Sequence, residues 1–347
     1  MLAGKPWLLW MIKTSIVLTV CVIVLGAYTR LSDAGLGCPD WPGCYGQLSV
    51  PTTSAELDKA SQLYPQLRVE QDKAWAEMIH RYFAGSLGLL VFAITALALG
   101  QRNMGRALPL FLSLLIVAQA LLGMWTVTLK LMPLVVLAHL FGGFTLLSLL
   151  VILHSKVASI RRHVSASMNT RVLGGLALLA LIGQIFLGGW TSSNYAALMC
   201  TSLPICQGDW ASHLDFKNAF SLYQPGHENY EFGVLDYGGR MTIHVSHRIG
   251  SLVATGLVLL FCWQLNQQRQ TILTIQSYWL VVLVFIQFSL GISNVVFQLP
   301  IFIAVLHNLG GALLLATLVR VNYLLMEKHT TDLLSPYKPK SIGSSHE

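Results

Sequence analysis

AHLFGGFTL (Ala138–Leu146) and LHNLGGALL (Leu306–Leu314) each set a histidine near the start of a long apolar run and a Gly-Gly pair three and four residues later. Ionisable residues are rare and costly in hydrocarbon, so one such run asks what the imidazole does. Two ask whether the chain is duplicated. The runs belong to a set of eight apolar stretches, roughly 8–29, 78–100, 108–128, 134–154, 172–191, 241–263, 277–297 and 301–325. Each has the length of about 20 residues that crosses a bilayer as a helix.

Composition agrees. Of 347 residues, 54% are hydrophobic and 11% charged, with a mean hydropathy of +0.61. Soluble domains carry roughly a quarter charged residues, so the chain reads as an all-α integral membrane protein. Its first stretch is too long for the apolar region of a signal peptide, and no small-residue cleavage site follows it.

The duplication is legible around the two opening segments. LGAYT (Leu25–Thr29) matches LGGWT (Leu187–Thr191) at an offset of 162, and Cys38 and Cys44 return as Cys200 and Cys206 at the same offset. IHRYFAGSL (Ile79–Leu87) matches SHRIGSL (Ser246–Leu252) across a short gap, pairing His80 with His247. QALLG (Gln119–Gly123) matches QFSLG (Gln287–Gly291), with 20 residues from glutamine to His139 or His307 in both cases. Each half therefore holds four helices with a long loop after the first. An even number of spans gives parallel repeats about an axis along the membrane normal, unlike inverted transporter repeats. The expectation is two four-helix bundles side by side: residues 1–160, residues 161–330, and a polar tail, 331–347.

Loop charge sets the orientation. The short loops around 101–107, 155–171 and 266–275 contain Arg102, Arg106, Lys156, Arg161, Arg162, Arg171 and Arg269 and no acid. The long loops 30–76 and 192–240 are net acidic. Both termini are thus expected on the cytoplasmic side of a bacterial-type inner membrane, with the long loops outside. The net charge of +7 is mostly this topogenic signal, and no nucleic-acid footprint stands out from it. The four loop cysteines would meet an oxidising compartment, where disulfides form. The C-x5-C spacing allows them without requiring them, and zinc is the rival although further ligands are missing near the first pair. Cys21 and Cys262, inside apolar stretches, read as small buried hydrophobes.

A lone membrane histidine is as readily an interhelical hydrogen-bonding residue as a ligand. Four at repeat-matched positions are different. His139 and His307 lie six and seven residues after Pro133 and Pro300, roughly 9–10 Å into their helices at about 1.5 Å per residue. His247 lies six residues after Met241, and His80 opens the second stretch. Each half can offer two imidazoles at one level, as bis-histidine haem ligation requires. Gly142, Gly143, Gly310, Gly311, Gly85 and Gly250 suit close helix approach and leave room for a porphyrin face. Arg81 and Arg248 could pair with propionates or snorkel to the interface. The halves differ at EMIHR (Glu77–Arg81) against HVSHR (His244–Arg248). A carboxylate in one half alone suggests that the first site does chemistry and the second carries electrons. Glu77 also reads as a helix-start carboxylate favoured by the dipole, and His244 as an interfacial residue beside the ligands.

GAYTRLSDAGLGCPDWPGC (Gly26–Cys44), EMIHR, AHLFGG, VSHR and LHNLGG together resemble haem A synthase, the cytochrome oxidase assembly family, over all eight stretches. The resemblance implies oxidation of the C8 methyl group of haem O to a formyl group, in two hydroxylations followed by dehydration. It implies haem b on His247 and His307, a substrate haem facing His80 and His139, and Glu77 as the family's essential acid. Cys38 with Cys44, and Cys200 with Cys206, match the family's two disulfide pairs. A haem O synthase is the implied donor, an electron acceptor is needed, and a homo-oligomer stays open.

Two further segments bear on the sites. TSAELDKASQLYPQLRVEQDKAWA (residues 53–76) reads as an amphipathic lid over the first site, broken at Pro65, or as a solvated connector. ENYEFGVLDYGGR (Glu228–Arg240) would fringe the second. The tail, with Pro336 and Pro339, is expected to be disordered. A non-catalytic di-haem cytochrome is the alternative from another class; it has no need of an acid in one half only. A transporter, with its site near midplane, fits the histidine positions poorly.

Overall fold

The computed structural model describes residues 6–101, 105–158, 164, 166–204 and 206–326; Arg102, Arg161, Arg162 and the tail 331–347 lie outside them. Among the described residues, eight helices are long and apolar enough to span a membrane: α1 (Pro6–Leu31), α3 (Gln71–Leu99), α4 (Ala107–Thr128), α5 (Pro133–Val157), α6 (Met168–Ser193), α8 (Tyr237–Gln267), α9 (Thr271–Val296) and α10 (Ile301–Met326). The short α2 (Ser54–Leu63) and α7 (Phe216–Ala219) sit in the two long loops, and no strand occurs among the described residues. Helices are what lipid demands, because each satisfies its backbone within one segment.

α1, α3, α4 and α5 touch in a closed ring, as do α6, α8, α9 and α10. Contacts between the rings run through α1, α5, α6 and α10. One buried apolar cluster fills the first ring, with Leu8, Ile12, Val91, Leu112 and Leu150 at its centre. A larger one joins Ile23 and Phe144 to Ala177, Phe261, Leu280 and Leu318, so the joint between the rings is itself core. Arg30, at the end of α1, lies over the Tyr195 ring at 4.2 Å, donates to the Tyr195 hydroxyl at 2.8 Å and donates to the Ser192 carbonyl at 3.0 Å. The Tyr230 N–H donates to the Lys130 carbonyl at 3.1 Å, a second tie across the loop end.

Four helices, α3, α6, α8 and α9, begin four or more residues earlier than hydropathy implies. α3 starts at Gln71 and α8 at Tyr237, so their polar first turns extend beyond the apolar windows. His80 therefore does not open its helix; it lies nine residues in, and Glu77 is past the first turn. That weakens the helix-dipole reading of Glu77, since the dipole acts within the first turn.

The loop after α1 folds back on α3. Cys38, Cys44, Tyr45, Val50, Ala60, Ala74 and Met78 form a small core of their own, and α2 contributes Ala60 to it. α2 ends at Leu63, just before Pro65, as the break at that proline anticipated. Its start is a capping box: Thr53 Oγ1 accepts the Glu56 N–H, and the Glu56 carboxylate accepts the N–H groups of Thr53 and Thr52. In the second long loop, Asp236 caps α8, Phe232 packs on Tyr195 and the Tyr230 hydroxyl donates to the Gln224 carbonyl. Residues expected to fringe a pocket thus anchor the loop.

The bonds from Thr53, then those from Thr52, hold the Glu56 carboxyl at about 2, below its usual 4.5. A lowered folded-state value stabilises above the unfolded one and is lost as pH falls through the folded one. Amide exchange protection of α2 should therefore be full near neutrality, start to fade below about pH 4 and collapse towards about 2. Glu56→Gln should flatten this dependence.

Candidate active site

Both loop-cysteine pairs are disulfides, Cys38–Cys44 and Cys200–Cys206. Their sulfurs are used in these bonds and do not serve as zinc thiolates. The first disulfide loop lies directly on α3. A Cβ at Gly37 would come within 2.6 Å of the Lys73 carbonyl carbon and 2.8 Å of the Ala74 nitrogen, so only glycine allows this approach.

Glu77 locks the contact. It is 4% exposed; its Oε2 accepts the Cys38 N–H at 2.9 Å, while Oε1 pairs with Arg81 one turn on. Arg81 Nη1 then donates to the carbonyls of Asp40 at 2.9 Å and Gly43 at 2.6 Å. Neighbouring Tyr45 feels the same setting: burial first, then the carboxylates of Glu70, Asp40 and Glu77, push its phenol above the usual range. A buried ion pair is sustained only when further hydrogen bonds satisfy both partners, and the loop backbone supplies them here.

The second half repeats this with a different acid–base content. Arg248 donates to the carbonyls of Ser202 at 2.8 Å and Cys200 at 2.6 Å. At the place of Glu77 stands His244, 4% exposed, whose Nδ1 lies 2.9 Å from the Ala196 carbonyl. Both arginines, read from sequence as propionate partners or snorkelling cations, thus bind loop carbonyls; the buried Arg248 Nε keeps no partner.

The four expected histidines come from the helices that start at the loop end: His80 on α3, His139 on α5, His247 on α8 and His307 on α10. They lie six to ten residues after the helix starts, roughly 9–15 Å along the axis. His80 and His139 are close enough to interact electrostatically, and so are His247 and His307. Each imidazole faces a glycine on a neighbouring helix. A Cβ on Gly26, Gly123, Gly188 or Gly291 would stand 2.7, 3.4, 3.0 or 3.2 Å from Cε1 of His80, His139, His247 or His307. The Nδ1 atoms of His80, His139 and His307 are buried without a partner. Such atoms call for an explanation, and an iron-bound imidazole that turns in its pocket supplies one. No group of three or more His, Cys, Asp or Glu gathers as for a bare ion among the described residues. Paired imidazoles backed by glycines suit the two faces of a macrocycle instead.

Sequence reasoning missed residues next to these rings. Gln184 Nε2 donates to the His247 carbonyl at 3.0 Å, and Gln287 Nε2 to the His307 carbonyl at 2.9 Å. Gln119 and Gln287 stood out only as markers of the repeat. QIFLG (Gln184–Gly188), which shares their pattern, was the available signal for Gln184.

A family model for COX15-CtaA, described as cytochrome oxidase assembly protein, matches residues 9–319. The chain is 54% identical over 327 residues to a heme A synthase of Shewanella oneidensis, covering 93% of this chain and 98% of that relative. Heme A synthases of Mesorhizobium japonicum and Parvibaculum lavamentivorans are each 26% identical; the first match covers 88% of this chain and 86% of the relative, the second 87% and 89%.

Removing one member of the Glu77–Arg81 pair should leave a buried charge uncompensated. Arg81→Met should lose roughly 3 kcal/mol of stability, and adding Glu77→Gln should recover part of it. A double-mutant cycle on thermal unfolding in detergent measures the coupling; strict additivity would mean that the two side chains do not depend on each other.

Proposed function

The chain belongs to the COX15-CtaA family of cytochrome oxidase assembly proteins, and we propose that it is a haem A synthase, oxidising the C8 methyl group of haem O to a formyl group for terminal oxidase assembly. The observation that carries this reading is the asymmetry of two otherwise matched sites. A buried carboxylate, Glu77, stands three residues before His80, where the second half has His244 before His247.

In this reading the first half, residues 1–160, takes the substrate haem between His80 and His139. The second, residues 161–330, holds haem b between His247 and His307. The glycine behind each ring and the unpartnered ring nitrogens support ligation at both. Haem b, when bound, supplies a one-electron relay. Arg81 and Arg248 would meet propionates only with the donors left over from their loop bonds, in Arg248 the buried Nε.

With both substrate-side histidines on iron during the oxidation itself, no coordination position is open, which favours removing electrons from the methyl group and taking the new oxygen from water. Each round replaces a C–H bond by C–O, releasing two electrons and two protons; the gem-diol then loses water to give the aldehyde. Glu77 is held in one orientation by the Cys38 N–H and Arg81. Ionised, it is an acceptor with lone pairs to spare, able to take a proton or to stabilise positive charge developing at the methyl carbon. The disulfide loop, stapled over this helix end, excludes water from the carboxylate.

The protein is a multi-pass membrane protein with eight apolar helices. The distribution of basic and acidic loops supports a bacterial-type inner membrane location with cytoplasmic termini and both sites towards the outer face. Substrate would come from a haem O synthase, directly or through lipid, and electrons would leave to a separate acceptor.

Co-expression with a haem O synthase, followed by chromatography and mass analysis of the extracted haems, tests the activity. Haem A or its hydroxylated precursor beside haem b is the expected result; haem b alone, with haem O present in the same membranes, would make the protein an electron-transfer cytochrome. Glu77→Gln should keep haem b and stop product formation, and full haem A output would remove Glu77 from the chemistry. His307→Ala should lose haem b; an unchanged haem b content would overturn the assignment of the second half.

A further inference from the structure

The molecule contains a fourfold pattern beneath its twofold one. Each histidine-bearing helix pairs with a helix carrying a five-residue segment that ends in the glycine under the imidazole. Three of these segments begin with glutamine: QALLG (Gln119–Gly123), QIFLG (Gln184–Gly188) and QFSLG (Gln287–Gly291). The fourth, VIVLG (Val22–Gly26), begins with valine.

The glutamines share one place, and in it Gln184 and Gln287 make bonds that the Gln119 amide nitrogen, buried without a partner, does not. Three residues after His139, His247 and His307 stand Gly142, Gly250 and Gly310, and a Cβ on any of them would run into the side chain of Gln119, Gln184 or Gln287. Each amide therefore occupies a notch cut by a glycine beside the histidine. From there Gln184 and Gln287 donate to the main-chain carbonyl of the histidine. Gln184 Nε2 also lies 3.0 Å from His247 Nδ1, and Gln287 Nε2 lies 3.4 Å from His307 Nε2. One side chain thus holds both the helix turn and the ring.

At His80 both halves of this device are missing. Val22 has no amide, and the residue three after His80 is Phe83. Two extra residues relative to HRIGSL move the glycine to Gly85, which faces open space. The gap in the repeat alignment is the place where the notch is lost. The His80 ring meets the backbone of Val22 and the glycine behind it, with no amide side chain at that position.

We propose that Gln119, Gln184 and Gln287 are positioning residues that lock His139, His247 and His307, and that His80 is the histidine that swings off the iron so that substrate haem enters and product leaves on the α1–α3 side. This rests on the bis-histidine reading above. A locked ligand on one face keeps the haem oriented while the other face opens, and locks on both faces keep haem b resident.

Carbon monoxide is a suitable probe, because it binds ferrous haem only where an axial histidine has let go. The full-length protein in detergent, carrying both haems and reduced, should react with carbon monoxide at the substrate haem and stay inert at haem b. Gln184→Val, which gives the second half the residue found in the first, should raise the carbon monoxide-reactive fraction of haem b several-fold and speed its transfer to apomyoglobin. Val22→Gln with Phe83→Gly should act in the opposite sense at the substrate site, slowing haem transfer several-fold and suppressing carbon monoxide binding. A purely structural role would loosen haem in both variants. Haem b that stays inert and slow in Gln184→Val overturns the proposal, and that variant decides alone should the double variant not fold. If His307→Ala keeps its haem b, ligation itself fails; if it loses haem b while Gln184→Val changes nothing, only the lock fails.

Discussion

A polar atom inside hydrocarbon has no water to fall back on, and every distinctive feature of this chain answers that constraint. Backbone groups are satisfied within eight helices. Of the polar side chains that remain, some are bonded to one another, as Glu77 and Arg81 are, and some to backbone that folds back into reach, as Arg248 is with the loop carbonyls. Ring nitrogens of His80, His139 and His307 are among the buried polar atoms left without a partner, with the Nε atoms of Arg30, Arg240 and Arg248 and several glutamine and asparagine amide atoms. These three imidazole nitrogens lie on helices that carry the candidate site.

The same constraint explains the loops. A disulfide alone closes a short ring of backbone and leaves its carbonyls to find donors. Arg81 and Arg248 provide those donors from ten and eleven residues into long helices, so each loop is clamped onto its half. In the first half the clamp also fixes a carboxylate through the Cys38 N–H. Structure and chemistry therefore share Glu77: the acid assigned to the reaction is the residue that seats the loop covering it.

Much of this was legible from residues alone. Hydropathy located all eight spans, and the repeat picked out the histidines that the helices bring near one another in pairs. Helix starts were not legible, because the first turns of α3 and α8 are polar and lie beyond the apolar windows. The loop bonds of the arginines were not legible, because the carbonyls that take Arg81 and Arg248 are main-chain atoms and leave no mark on side-chain identity. Gln184 was overlooked because its mate at the matching place is Val22, so a twofold comparison discards it; only the fourfold comparison of helix pairs restores it.

The tie made by Arg30 has a consequence of a different kind. Electron tunnelling between two centres falls exponentially with the gap, so a hinge between the halves would turn small rocking motions into large fluctuations in rate. Arg30 reaches from the end of α1 to Ser192 and Tyr195 at the end of α6, and the Tyr230–Lys130 bond fastens the same loop-facing side. With apolar core continuous beneath, the two halves are fastened along their joint, and two redox centres held one in each would keep a spacing set by construction. Such a joint would favour steady throughput over gating, and leave control of turnover to the arrival of substrate.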